Sequence, residues 1–257
     1  MIVGPAIGGF LLASHGPAAV YGINAVSFIA VIAALGAMRA SGQINEESEK
    51  ANRVSYAALK EGLTFVWRTP VIVQTMTLDF AATFFASATA LLPIFAEEIL
   101  HVGARGVGLL AAAPAVGSVL TALLIARIGG FRRQGSIVIW AVAIFGLATV
   151  VFGISRVFWF SLLMLAITGA ADTVSTVLRQ TIRQLATPNH LRGRMTSINM
   201  VFFMGGPQLG ELEAGVVASL VGAPLSVVIG GVGSLLSAGV AAVKAKSLLN
   251  YESSDSA

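Results

Sequence analysis

Seven long apolar runs constrain this chain more than any other feature. They cover roughly 18 to 38, 71 to 96, 104 to 126, 136 to 155, 157 to 178, 195 to 221 and 224 to 243. Each is long enough to supply the roughly 20 helical residues that cross a hydrocarbon core of about 30 Å. Gly, Ala, Val and Leu dominate them without the period-2 polar alternation of a barrel strand, so they read as transmembrane α-helices. The 56% hydrophobic content and mean hydropathy of +0.86 lie far outside the range of a soluble domain. The expected fold class is an all-α polytopic membrane protein.

An eighth apolar run, "MIVGPAIGGFLLAS", is short. At about 1.5 Å rise per residue it covers roughly 21 Å, less than a membrane crossing. No Lys or Arg precedes Arg39, so the run lacks the charged start of a signal peptide. It reads as the end of a helix that begins upstream of Met1. On this reading the chain is truncated at its N-terminus, and a partner is implied: the missing N-terminal helices or a complementing half.

Several function classes find no support. The formal net charge of +4 is spread between apolar runs rather than along one helical face, so nucleic acid is not an expected partner. The chain has no cysteine, which removes disulfides and thiol nucleophiles. His15, His101 and His190 make no metal-ligand spacing, and no Gly-Lys phosphate motif occurs. No nucleophile, base and oxyanion group converge, so no enzyme activity and no cofactor are expected.

Positive charge sets the topology. Arg39, Lys50, Arg53, Lys60 and Arg68 fall in the first connection, Arg127, Arg132 and Arg133 in the third, and Arg179, Arg183, Arg192 and Arg194 in the fifth. Lys244 and Lys246 follow the last span, and only Arg105 and Arg156 lie in alternate connections. Cytoplasmic loops carry the excess of Lys and Arg, so the odd connections and the C-terminus are expected inside the cell. The chain then divides into a remnant of a first half at 1–38, a cytoplasmic central loop at 39–70, a six-helix half at 71–243 and a cytoplasmic tail at 244–257. Within the loop, Val54, Ala58, Leu59, Phe65 and Val66 alternate with Lys60, Glu61 and Arg68 at helical spacing, which predicts a surface helix.

Ionisable groups inside a span are expensive and therefore candidate functional sites. Asp79 lies within the second run. Asp172, Arg179 and Arg183 follow at intervals of seven and four, which places them on one helical face. Glu211 and Glu213 follow "MGGPQLG", where the glycines and Pro207 are expected to interrupt or kink a helix bordering a cavity. Two residues apart, these glutamates point about 200° from each other and do not form one carboxylate pair. The pathway candidates for proton or substrate are thus Asp79, Asp172, Glu211 and Glu213. The arginines 127, 132, 133, 179, 183, 192 and 194 are either topology anchors or a cytoplasmic gate.

Three stretches carry a family resemblance. "GPAIGG", with Gly4, Pro5, Gly8 and Gly9, resembles the end of the fifth-helix packing motif of drug/proton antiporters. "ARIGGFRR", Ala126 to Arg133, resembles the second copy of a cytoplasmic loop motif, with Ala126 where an Asp is usual. "GAADTVSTVLRQTIRQLATPNHLRGRMTSINMVFFMGGPQLGELEAG" resembles the branch of the major facilitator superfamily that holds bacterial enterobactin and multidrug exporters. The resemblance implies a partial superfamily fold running from the end of helix five to helix twelve. It also implies a bacterial inner-membrane transporter that exports a small amphipathic molecule, a siderophore or drug, by alternating access coupled to protons. Uptake by the same fold, or a non-transporting membrane fragment, are the alternatives.

Overall fold

The computed structural model of the chain describes residues 18, 21–29, 31–34, 36, 56–86, 89–128, 131 and 133–251. The N-terminal packing motif at Gly4, Pro5, Gly8 and Gly9, Arg132 and most of the first connection lie outside the described residues. All regular structure among the described residues is helical.

An apolar helix at Tyr21–Ala34 falls within the expected first span at 18 to 38, parts of which lie outside the described residues. The surface helix follows as α1, Tyr56–Arg68. Thr69 is extended and Pro70 opens α2, Pro70–Phe85, where its fixed φ and missing N–H cost nothing. The expected second span is not one uniform helix. Beyond Phe85 it continues as a 3₁₀ turn at Thr89–Leu91, a short α segment at Leu92–Ile94 and a π turn at Phe95–Ile99. Then come α3, Gly103–Ile128; α4, Gln134–Ile154; α5, Phe158–Ala186; α6, Arg192–Val221; and α7, Ala223–Lys244. A short α8, Lys246–Leu249, ends the described chain.

Five segments are both long and apolar enough to cross a membrane: Pro70–Ile99, α3, α4, α5 and α7. The sequence predicts a further span at 195–221, and α6 has the length at 30 residues. It falls short in apolarity because Asn199, Gln208, Glu211 and Glu213 interrupt its hydrophobic residues. A second difference lies in α5, which continues past the expected end at 178 to Ala186. Arg179 and Arg183 therefore sit inside a helix and not in a connection.

The helices pack in a bundle with α4 against α7 and α5, α5 against α3, and α2 against α6 and α7. Small residues bring backbones close, as membrane helices require when lipid is as apolar as the side chains. A Cβ on Gly117 would stand 1.8 Å from the Ala166 carbonyl oxygen, and one on Gly169 would stand 1.9 Å from that of Pro114. These two glycines lock α3 to α5, and the Ser118 hydroxyl donates to the Gly169 carbonyl across the same seam at 3.1 Å. Gly222, at φ +85°, makes the tight connection from α6 to α7 that an L side chain would strain.

Two apolar clusters fill opposite ends of the bundle. One gathers Leu78, Val138, Val142, Ile182 and Leu248; the other gathers Leu92, Phe95, Leu110, Phe152 and Leu165. Large apolar side chains such as Leu123, Trp140, Trp159, Leu220 and Leu236 point outward and are exposed. An apolar exterior of this extent is the surface of a protein surrounded by lipid.

The helix α1 packs against the bundle. Val66 is buried with Ile72, Met76, Met195 and Ile198, which ties α1 to the starts of α2 and α6. Gly62 permits the approach, since its Cβ would lie 3.1 Å from Arg194 Cβ and 3.3 Å from Ile198 Cδ1.

Candidate functional site

The interior charges converge. Asp79 on α2 and Arg179 and Arg183 on α5 are among the few buried charged residues, each about 1% exposed. Arg179 Nη2 donates to Asp79 Oδ1 at 2.8 Å, and Arg183 Nη1 faces Asp79 Oδ2 at 3.7 Å. One carboxylate thus joins two helices by meeting two guanidinium groups. Burying charge is costly unless it is paired, and this pairing is what lets three ionic side chains occupy the interior.

Asp172 belongs to the same network but differs in exposure. Its Oδ1 is 3.8 Å from Arg179 Nη2 and accepts from the Thr176 hydroxyl at 3.4 Å. Arg179 Nη2 also donates to that Thr176 oxygen at 3.0 Å. The Asp172 side chain is 49% exposed, against 2% for Asp79. The four-residue steps of α5 bring Asp172, Thr176, Arg179 and Arg183 to one side of the helix.

Both aspartates line a cavity of about 330 Å³. Its wall combines Phe145, Phe152 and Phe203 with Thr83, Ser118, Thr149 and Thr168, whose hydroxyls each donate to a backbone carbonyl and keep their oxygens as acceptors. Aromatic and aliphatic surface with a few convergent polar groups is the usual composition of a small-molecule site. Pro114 and Pro207, each inside a continuous helix, also reach it.

The remaining sequence candidates lie elsewhere. Glu211 is exposed and Glu213 is partly buried, and neither lines this cavity. The expected interruption of the helix before them is absent: α6 runs unbroken through Gly206, Pro207 and Gly210. Gly210 instead allows close packing, since a Cβ there would stand 2.2 Å from the Phe84 carbonyl oxygen of α2. Phe80 stacks on Phe84 and meets Phe202 edge-on, so these rings form the α2–α6 seam, while Phe203 faces the cavity.

The arginines expected as one gate separate into groups. Arg179 and Arg183 are interior; Arg127, Arg133 and Arg192 are exposed near helix ends. Arg194 pairs with Glu61 of α1, joining the surface helix to the start of α6. The sequence did not join Asp79 to the arginines, and it gave no role to Thr176 or to the hydroxyl-bearing wall. Among the described residues no cluster of His, Cys, Asp or Glu is arranged to hold a metal ion.

A bundle of membrane-length apolar helices with a buried ionic network beside a cavity defines a polytopic membrane protein. The chain belongs to the transmembrane secretion effector family of the major facilitator superfamily, which it matches over residues 2–257. It is 28% identical over 224 residues to the multidrug efflux pump Tap of Mycolicibacterium fortuitum, covering 86% of this chain and 54% of that protein. It is 26% identical over 236 residues to the enterobactin exporter EntS of Salmonella choleraesuis, covering 91% of this chain and 56% of the exporter. The chain thus spans little more than half the length of the curated relatives it matches. No solved structure matches it.

Proposed function

We propose that the protein is a secondary active transporter that exports a small amphipathic molecule by alternating access, with proton entry as the driving reaction. The observation that carries this reading is the contrast between Asp79, buried and held by two arginines, and Asp172, half-exposed at the wall of the same cavity. The names of the relatives, a multidrug efflux pump and an enterobactin exporter, support the outward direction. On this reading residues 71–243 form one six-helix half, and the Arg-rich connections and the C-terminus face the cytoplasm of a bacterial inner membrane.

The chemistry follows from the charges. Deprotonated, Asp79 offsets one of the two positive charges of Arg179 and Arg183, moderates their mutual repulsion and holds α2 to α5. Protonation of Asp79 removes that attraction and leaves the two arginines repelling each other, so the helices separate more easily. Asp172 reaches the cavity and contacts Arg179 only at longer range, which suits it to exchange a proton with water or yield its place to a substrate group. Arg179 touches both carboxylates and so links the state of one to the other. A cavity with phenyl rings on its wall and hydroxyls between them accepts a molecule with both apolar and polar faces.

The test is the initial rate of dye export from cells making the protein, normalised to the amount in the membrane. Asp172→Asn should abolish the part of export that a protonophore also abolishes. Undiminished export after collapse of the proton gradient would overturn the coupling, and dye accumulation driven by the wild-type protein would reverse the direction.

A further inference from the structure

A second hollow lies on the opposite side of α2 from the ionic network. It is a lateral groove of about 680 Å³ between α2 and α7, within the size range of small-molecule sites. Val73, Leu78, Ala81, Val228, Val232 and Leu236 give it an almost wholly apolar wall. Phe85 closes one end, where it packs tightly on α7: a Cβ on Gly230 would stand 2.0 Å from the Phe85 carbonyl oxygen. Lys244, in the last turn of α7, stands at the other end.

The groove has the dimensions and polarity of one lipid tail with its head. From Val73 to Phe85 the α2 wall runs about 18 Å at helical rise, close to the roughly 15 Å depth of one leaflet's hydrocarbon. Gln74 and Ser237 direct polar atoms to the protein, and Thr77 adds one neutral hydroxyl to the wall. Gln74 Oε1 accepts from the Leu248 amide at 2.8 Å, and the Ser237 hydroxyl donates to the Gly233 carbonyl at 2.8 Å. The charge at its mouth is therefore that of Lys244, which makes no ion pair among the described residues. Lys244 is exposed in the last turn of α7, where the helix leaves its apolar stretch.

We infer that this groove is a binding site for an anionic phospholipid of the surrounding bilayer, its acyl chain along α2 and α7 and its phosphate at Lys244. A basic side chain between helix ends at the cytoplasmic surface attracts anionic head groups, and a zwitterionic lipid gains less from the same contact. The groove is separate from the cavity that holds Asp79 and Asp172, so the inference does not depend on what that cavity transports. A lipid seated there would brace α7 against α2, the helix that carries Asp79.

The experiment measures which lipids remain bound when the protein is extracted from membranes into mild detergent and supplied with equal phosphatidylglycerol and phosphatidylcholine, read by native mass spectrometry. Wild type is expected to retain phosphatidylglycerol at least about threefold over phosphatidylcholine, a preference that salt weakens. Lys244→Ala should bring the ratio to about one, while Lys246→Ala, outside the groove, should leave it unchanged. Val232→Trp, which fills the groove, should reduce retention of both lipids, with the unfolding midpoint checking that the bundle is intact. Equal retention of the two lipids by wild type would overturn the inference, as would a preference that survives Lys244→Ala or is lost equally in Lys246→Ala.

Discussion

Arg179 and Asp79 meet at 2.8 Å across α5 and α2, and both side chains are 2% exposed. The Arg179 nitrogen that touches Asp79 is also the one that donates to Thr176 and faces Asp172. A single Nη2 therefore connects the buried carboxylate to the half-exposed one. Removing one partner of a buried ion pair leaves an uncompensated charge in the interior, at a cost of about 3–5 kcal/mol. Asp79→Asn is expected to lower unfolding stability by that amount, measured in detergent by denaturant titration. Asp172→Asn should cost less than about 1 kcal/mol, because its pairing is long and solvent-screened.

Arg179→Lys separates charge from shape. Lysine keeps the positive charge, but its side chain is one bond shorter, so its nitrogen falls short of the position Nη2 occupies between Asp79, Thr176 and Asp172. Export per membrane-inserted protein should fall about tenfold or more, a loss of about 1.4 kcal/mol or greater in transition-state terms. Arg194→Lys makes the contrast, since Arg194 and Glu61 are partly exposed, at 37% and 53%, and the ammonium can still meet the carboxylate. Its export rate should stay within about twofold of wild type.

The seam between α3 and α5 gives a prediction independent of transport. Gly117→Ala and Gly169→Ala each place a methyl group inside a backbone carbonyl's contact distance. Overpacking of this kind costs about 1–3 kcal/mol, so each variant should unfold at a lower temperature than wild type. Gly215→Ala is the control, because nothing lies within 4 Å of its Cβ. Equal midpoints for all three variants would show that the seam is looser than its geometry states.

Much of this fold was legible because membrane burial writes itself as length. Runs of about 20 apolar residues mark α3, α4 and α7 directly. The apolar run stops at 178 while α5 continues to Ala186, because Arg179 and Arg183 break the hydropathy pattern although their spacing from Asp172 keeps them on one helical face. The Thr187-Pro188 pair was the better stop signal, since the residue before a proline leaves the helical region, and Thr187 is indeed extended at ψ 122°. The intrahelical half of the site, Asp172 with Arg179 and Arg183, was readable from spacing alone. Its contact with Asp79 was not, because a one-dimensional pattern does not say which faces of two helices meet. The close approach of α6 to α2 at Gly210 was hidden for the same reason, since it depends on which faces of the two helices meet.

Topology is open to direct measurement in a chain without cysteine. Single cysteines replacing the exposed residues Arg192 and Lys246 should react with an impermeant thiol reagent only when it reaches the cytoplasmic face. A cysteine replacing exposed Arg156, in the connection between α4 and α5, should be labelled in intact cells. Labelling of the Lys246 position from outside would invert the orientation.

Thr176 offers the sharpest separation of structural support from coupling. Its hydroxyl oxygen accepts from Arg179 and its proton points to Asp172, so it relays the position of one group to the other. Thr176→Val keeps the branched shape in α5 but removes both contacts, whereas Thr176→Ser keeps them with a smaller side chain. A hydrogen bond between partly buried groups contributes about 1 kcal/mol, equivalent to roughly a fivefold change in rate. Thr176→Val should therefore slow proton-driven export about fivefold while costing only about 1 kcal/mol of stability, less than Asp79→Asn, because Asp79 still holds Arg179. Thr176→Ser should restore most of the rate. The measurement pairs export kinetics with thermal unfolding for the three proteins. If valine and serine slow export equally, the methyl group and its packing matter and the relay does not.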